Sequence, residues 1–75
     1  MNREFEKKLY QSIQVDIKSF FQNNDNISRN YENCIEYLNE IIDVIKEYSS
    51  NELLAKLYSE KDYYQNNYSY YKAIK

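Results

Sequence analysis

The sequence predicts a small all-α protein, an antiparallel three-helix bundle with helices over about 2–22, 27–48 and 51–73. Three observations carry this. Apolar residues recur every three or four positions through three segments, which is helical spacing. The chain contains no Gly and no Pro, so neither of the strongest helix breakers interrupts those segments. Two polar clusters, Asn23-Asn24-Asp25-Asn26 and Ser49-Ser50-Asn51, separate them. Their side chains hydrogen-bond nearby backbone and compete with helix. Strands fit poorly, because no segment holds a period of two and Gly-bearing hairpin turns are missing. Short loops make sequential helices antiparallel neighbours. The 75 residues form one helical domain, 1–75, near the lower size limit for a self-supporting core.

In the first segment Phe5, Leu9, Ile13, Ile17 and Phe20 share a face at 100° per residue, Tyr10 and Phe21 widen it, and Val15 points away. In the second, Tyr31, Ile35, Leu38, Ile42 and Ile45 form a heptad seam, broadened by Cys34, Ile41 and Tyr48. Asp25, Asn26 or Ser28 caps its start. In the third, Leu54, Leu57, Tyr64, Tyr68 and Tyr71 form the seam, with Leu53 and Tyr58 beside it. Lys61 interrupts that seam and is expected to snorkel. Ser49 and Glu52 have capping-box spacing, which places the helix start at Ser49 or Ser50.

Composition removes several function classes. There is no His and a single Cys. The usual proton shuttle, the commonest metal ligand and an internal disulfide are therefore missing. Without Gly the phosphate-cradling and dinucleotide loops cannot be built. The expectation is a non-enzymatic chain with no cofactor and no metal. Cys34 lacks an activating base and reads as a small buried hydrophobe at the edge of its seam. The N-terminal Met-Asn-Arg-Glu-Phe-Glu-Lys-Lys has no signal-peptide pattern, and no segment approaches the ~18 apolar residues of a membrane span. The expected location is cytoplasmic, the host cytoplasm if the gene belongs to a phage. Asn, Lys, Ile, Tyr and Phe supply 39 of the 75 residues. Their codons are AT-rich, which points to a low-GC genome or its mobile elements.

Two surfaces stand out as candidate binding sites. Glu32, Glu36, Glu40, Asp43 and Glu47 form an acidic stripe nearly opposite the apolar seam of the second helix. The net charge of −2 is small for a nucleic-acid mimic, yet the stripe suits a partner with a basic nucleic-acid-binding groove. Six of the ten tyrosines lie at or after Tyr58. Tyr63, Tyr70 and Ile74, with Asn67 between them, lie near the face opposite the third seam. A helix with aromatics on two faces cannot bury both in one small bundle. Exposed Tyr is favoured at binding hot spots.

The expected function is a protein–protein interaction module, a small regulator or inhibitor of phage or mobile-element type that binds and blocks a host protein. Inhibitors of host defence nucleases, anti-CRISPR proteins among them, share this size and style, although no motif marks membership. The alternative is a self-assembling protein, a homodimer through its Tyr-rich third helix. A third reading, nucleic-acid binding through Tyr and Lys of that helix, is disfavoured because no basic footprint exists.

Overall fold

The computed structural model describes residues 2–73 and is all-helical, with three helices in chain order: α1 (Arg3–Gln22), α2 (Ile27–Ile45) and α3 (Asn51–Ala73). They form a three-helix bundle about 43 Å long. Asn2 caps α1, its side chain accepting from the Phe5 N–H at 2.8 Å. Asn26 caps α2 by accepting from the Arg29 N–H at 3.1 Å. Both satisfy a backbone donor that has no partner within the helix. Asn24 Oδ1 accepts the Asn26 N–H at 3.0 Å, and the buried Asn30 donates to the Asn24 carbonyl at 2.7 Å. The Asn-rich loop is thus held by its own side chains, a local alternative to helix that Asn offers.

α2 stops at Ile45, three residues before the expected Tyr48. The reason is the reversal into α3. No described residue has positive φ, so a tight left-handed turn is not used, and the chain turns over residues 46–50. The Tyr48 and Ser49 N–H groups both donate to the Ile45 carbonyl at 2.9 Å. Tyr48 therefore leaves the seam and is 67 % exposed. Ser50 caps α3, its hydroxyl accepting from the Leu53 N–H at 3.2 Å. The expected Ser49–Glu52 capping box does not form.

The core comprises Ile13, Ile17, Cys34, Leu38, Ile42, Ile45, Leu53 and Leu57. α2 and α3 pack most closely, α1 and α2 less so, and the α1 and α3 backbones meet mainly through long side chains. The buried line of α2 is Asn30, Cys34, Leu38, Ile42 and Ile45, rotated from the expected seam because α2 packs on both neighbours. Tyr31 and Ile35 are half-buried, and Cys34 sits at the centre of the core instead of its edge. In α3 the deepest position is Leu57, and Leu53 is buried while the expected seam residue Leu54 is only half-buried. Phe5, expected on the apolar face of α1, is 54 % exposed, because it lies in the first turn, on the flank away from Ile13. Lys61 is half-buried with its ammonium 6.0 Å from the Tyr58 ring centre, the expected snorkelling. No described helix is long and apolar enough to cross a membrane.

With so few fully buried apolar side chains, each carries a large share of stability. Leu57→Ala should cost about 2–5 kcal/mol. The Ser49 hydroxyl oxygen is buried without a hydrogen-bond partner among the described residues, so Ser49→Ala should be neutral or stabilise by up to about 1 kcal/mol. Urea unfolding followed by circular dichroism measures both.

Candidate functional site

The third helix supplies the first surface. Leu53, Leu57 and Tyr64 face the core. At 100° per residue, Tyr63 and Tyr70 lie about a third of a turn from that line. They are on a flank of α3, not on the opposite face as expected. Both remain exposed, at 59 % and 63 %. The Tyr63 ring meets Tyr64 edge-on at 5.2 Å between centres, and the Tyr70 ring meets Tyr71 at 5.7 Å. Tyr64 and Tyr71 in turn pack on Tyr31, and Tyr64 on Phe21, at 5.5–6.0 Å. The exposed rings are therefore braced by a half-buried aromatic cluster, which limits the ordering cost of binding through them. Their hydroxyls have no hydrogen-bond partner among the described residues. Asn67, expected between them as a contact residue, turns its side chain onto its own helix and donates to the Tyr63 carbonyl at 2.8 Å. Ile74 lies outside the described residues.

The acidic stripe is divided. Glu36, Glu40 and Asp43 are exposed on the outer face of α2. Glu32 is half-buried beside α3. One of its carboxylate oxygens pairs with Arg29 at 3.3 Å, and the other accepts from the Tyr68 hydroxyl at 3.4 Å. Asp43 pairs with Lys46 at 3.6 Å, an exposed contact of little energetic weight. Glu47 falls beyond the end of α2 and leaves the helical line. Three carboxylates thus share one solvated helix face.

Several polar residues that hold this scaffold were not singled out from the sequence. Glu6 is buried and reaches from α1 to the start of α3. Its carboxylate accepts the Ser50 N–H at 2.8 Å and the Ser50 hydroxyl at 2.6 Å. In a capping box the third helical residue would accept the cap N–H. Here a residue 44 positions away takes that role. The two Ser50 hydrogen bonds hold the Glu6 carboxyl below the usual glutamate value of about 4.5. Glu60 of α3 accepts from the Tyr10 hydroxyl at 2.8 Å and from the Gln14 amide at 2.6 Å. The Tyr37 hydroxyl donates to Asp16.

A signal existed for the first two. Glu60 continues the line Leu53, Leu57, Tyr64 at steps of four, three and four, and Glu6 lies seven residues before Ile13. A carboxylate on a core line implies a donor across the junction.

Reactive groups are scarce. Burial pushes the Cys34 thiol up to about 12, with a smaller contribution from Glu60. At neutral pH it is a thiol and a poor nucleophile. Burial raises Tyr64 to about 12 as well. Among the described residues no group of three or more Cys, Asp and Glu is placed to hold a metal ion. A shallow groove of about 650 Å³ runs between the N-terminal halves of α1 and α3, with Arg3, Lys7, Tyr10, Leu53 and Lys56 among its walls. Its basic and acidic side chains balance. Protein-family models, curated proteins and solved structures give no match for this chain.

The Glu6 contact makes stability depend on pH with a definite sign. The folded state lowers its proton affinity, so the contact contributes fully above about pH 4.5 and is lost as pH falls through the lowered value. Glu6→Gln should melt below wild type at neutral pH, and the gap should close on acidification. Thermal melts of both chains across that range measure it.

Proposed function

We propose that this chain is a protein-binding module, a small non-catalytic regulator that acts by occupying a partner's surface. The observation that carries the reading is the pair Tyr63 and Tyr70, both more than half exposed on one flank of a helix whose inner face is already packed. Tyr offers wide contact area and a polar tip at low entropic cost. Bracing by Tyr64 and Tyr71 holds the rings ready. The outer face of α2 supports the same reading, because Glu36, Glu40 and Asp43 present negative charge to a basic surface and speed encounter with it. In this reading the partner is a host protein with a basic groove, and the chain blocks it as the small products of mobile elements do.

Affinity capture from a host lysate, comparing wild type with the Tyr63→Ala/Tyr70→Ala variant, tests this. A protein retained by the wild type and lost with the variant is the expected result. Equal retention by both, with the variant still helical, would assign binding to another surface.

A further inference from the structure

Within the molecule, tyrosine hydroxyls cross helix junctions to carboxylates: Tyr10 to Glu60, Tyr37 to Asp16 and Tyr68 to Glu32. Tyr63 and Tyr70 are exposed tyrosines without such a partner, and Glu36 and Asp43 are exposed carboxylates on another helix. We infer that the α3 flank of one copy docks antiparallel on the outer face of α2 of a second copy, repeating this contact between molecules. This rests on the reading of the α3 flank as a binding surface and gives that surface a second occupant, another copy of the chain, beside the host protein.

The register follows from spacing. Lys56, Tyr63 and Tyr70 recur every seven residues on α3, and Arg29, Glu36 and Asp43 recur every seven on α2. Seven residues rise about 10.5 Å along a helix, so the two lines match step for step. All six side chains are exposed. Run antiparallel, Lys56 faces Asp43, the Tyr63 hydroxyl faces Glu36, and the Tyr70 ring faces Arg29. These are an ion pair, a charge-assisted hydrogen bond and a cation–π contact. Run parallel, Lys56 and Tyr63 face Glu36 and Asp43, and Tyr70 falls opposite Ser50, past the end of α2 at Ile45. Unshifted and parallel, Tyr63 and Tyr70 face Glu36 and Asp43, but Lys56 meets Arg29, a like charge. The antiparallel register alone places an attractive pair at all three positions, and it is the sense in which α2 and α3 pair inside the molecule. The two surfaces differ, so the contact is heterologous and propagates from copy to copy. It is polar and small, so the assembly is weak and salt-sensitive.

Sedimentation velocity of the full chain tests this, at rising concentration in low and high salt. Wild type should show species larger than the monomer that grow with concentration and dissolve in salt. Tyr63→Ala/Tyr70→Ala should associate about tenfold more weakly or less still. Lys56→Glu and Asp43→Lys should each be monomeric while keeping the helical circular dichroism of wild type, although each gives up a surface contact of its own, Lys56 over the Tyr10 ring and Asp43 with Lys46. Mixing those two should restore assembly, because each supplies the intact half that the other lacks. A wild type that stays monomeric at hundreds of micromolar overturns the inference, as does a mixture that stays monomeric. So does an Asp43→Lys chain that assembles like wild type, since tyrosine-on-tyrosine pairing would then be the contact. A monomeric wild type that still holds an outside protein through Tyr63 and Tyr70 overturns self-docking and leaves the binding surface intact.

Discussion

Tyrosine hydroxyls donating to carboxylates link each pair of helices in this bundle, and the arrangement of α1 depends on them. Tyr10 reaches Glu60 between α1 and α3, Tyr37 reaches Asp16 between α1 and α2, and Tyr68 reaches Glu32 between α2 and α3. The constraint behind this is size. A chain of 75 residues buries little apolar surface relative to the entropy it gives up. α1 contributes only Ile13 and Ile17 to the fully buried apolar core. A tyrosine covers apolar neighbours with its ring and still satisfies its hydroxyl at the rim. A charged acceptor strengthens the hydrogen bond. Glu6 on Ser50 adds a fourth carboxylate contact of the same kind and ties the start of α3 to α1.

Tyrosine richness and polar helix junctions are thus two sides of one solution. α2 and α3 share the close contact, and α1 is laid along them by Ile13, Ile17 and the partly buried Leu9, Phe20 and Phe21, with polar side chains fastening its edges. The surplus of this chemistry appears outside. Tyr63 and Tyr70 carry rings braced by the half-buried Tyr64 and Tyr71 and hydroxyls that the fold does not use. Glu36 and Glu40 carry acceptors that the fold does not use either. A surface offering the residue types that already bind the helices together is suited to bind another helix.

Much of the fold was legible in the sequence, because helical periodicity, absent breakers and Asn/Ser clusters all pointed one way. The three helices and the outward Val15 followed directly, and Asn26 was one of three cap candidates for α2, with Asp25 and Ser28. What the pattern could not resolve was rotation. Cys34 lies at the core centre and Ile35 only half inside, because a helix with two neighbours centres its buried face between them. The end of α2 was missed because Tyr48 keeps the apolar period while the chain is already reversing. The candidate surfaces were legible as exposed side chains. Their internal partners were not, since the contacts of Glu6 and Glu60 span more than 40 residues of chain. Glu32 and Asn67 likewise read as free from the sequence, yet Glu32 is bonded across to Tyr68 of α3 and Asn67 to the backbone of its own helix.

A tyrosine hydroxyl and its carboxylate contribute to the stability of this bundle as a pair. A double-mutant cycle on Tyr10 and Glu60 measures this directly. Tyr10→Phe should cost about 1 kcal/mol in the wild-type chain and close to nothing once Glu60→Ala is present. An equal cost in both backgrounds would contradict it, because the hydroxyl would then act without the carboxylate.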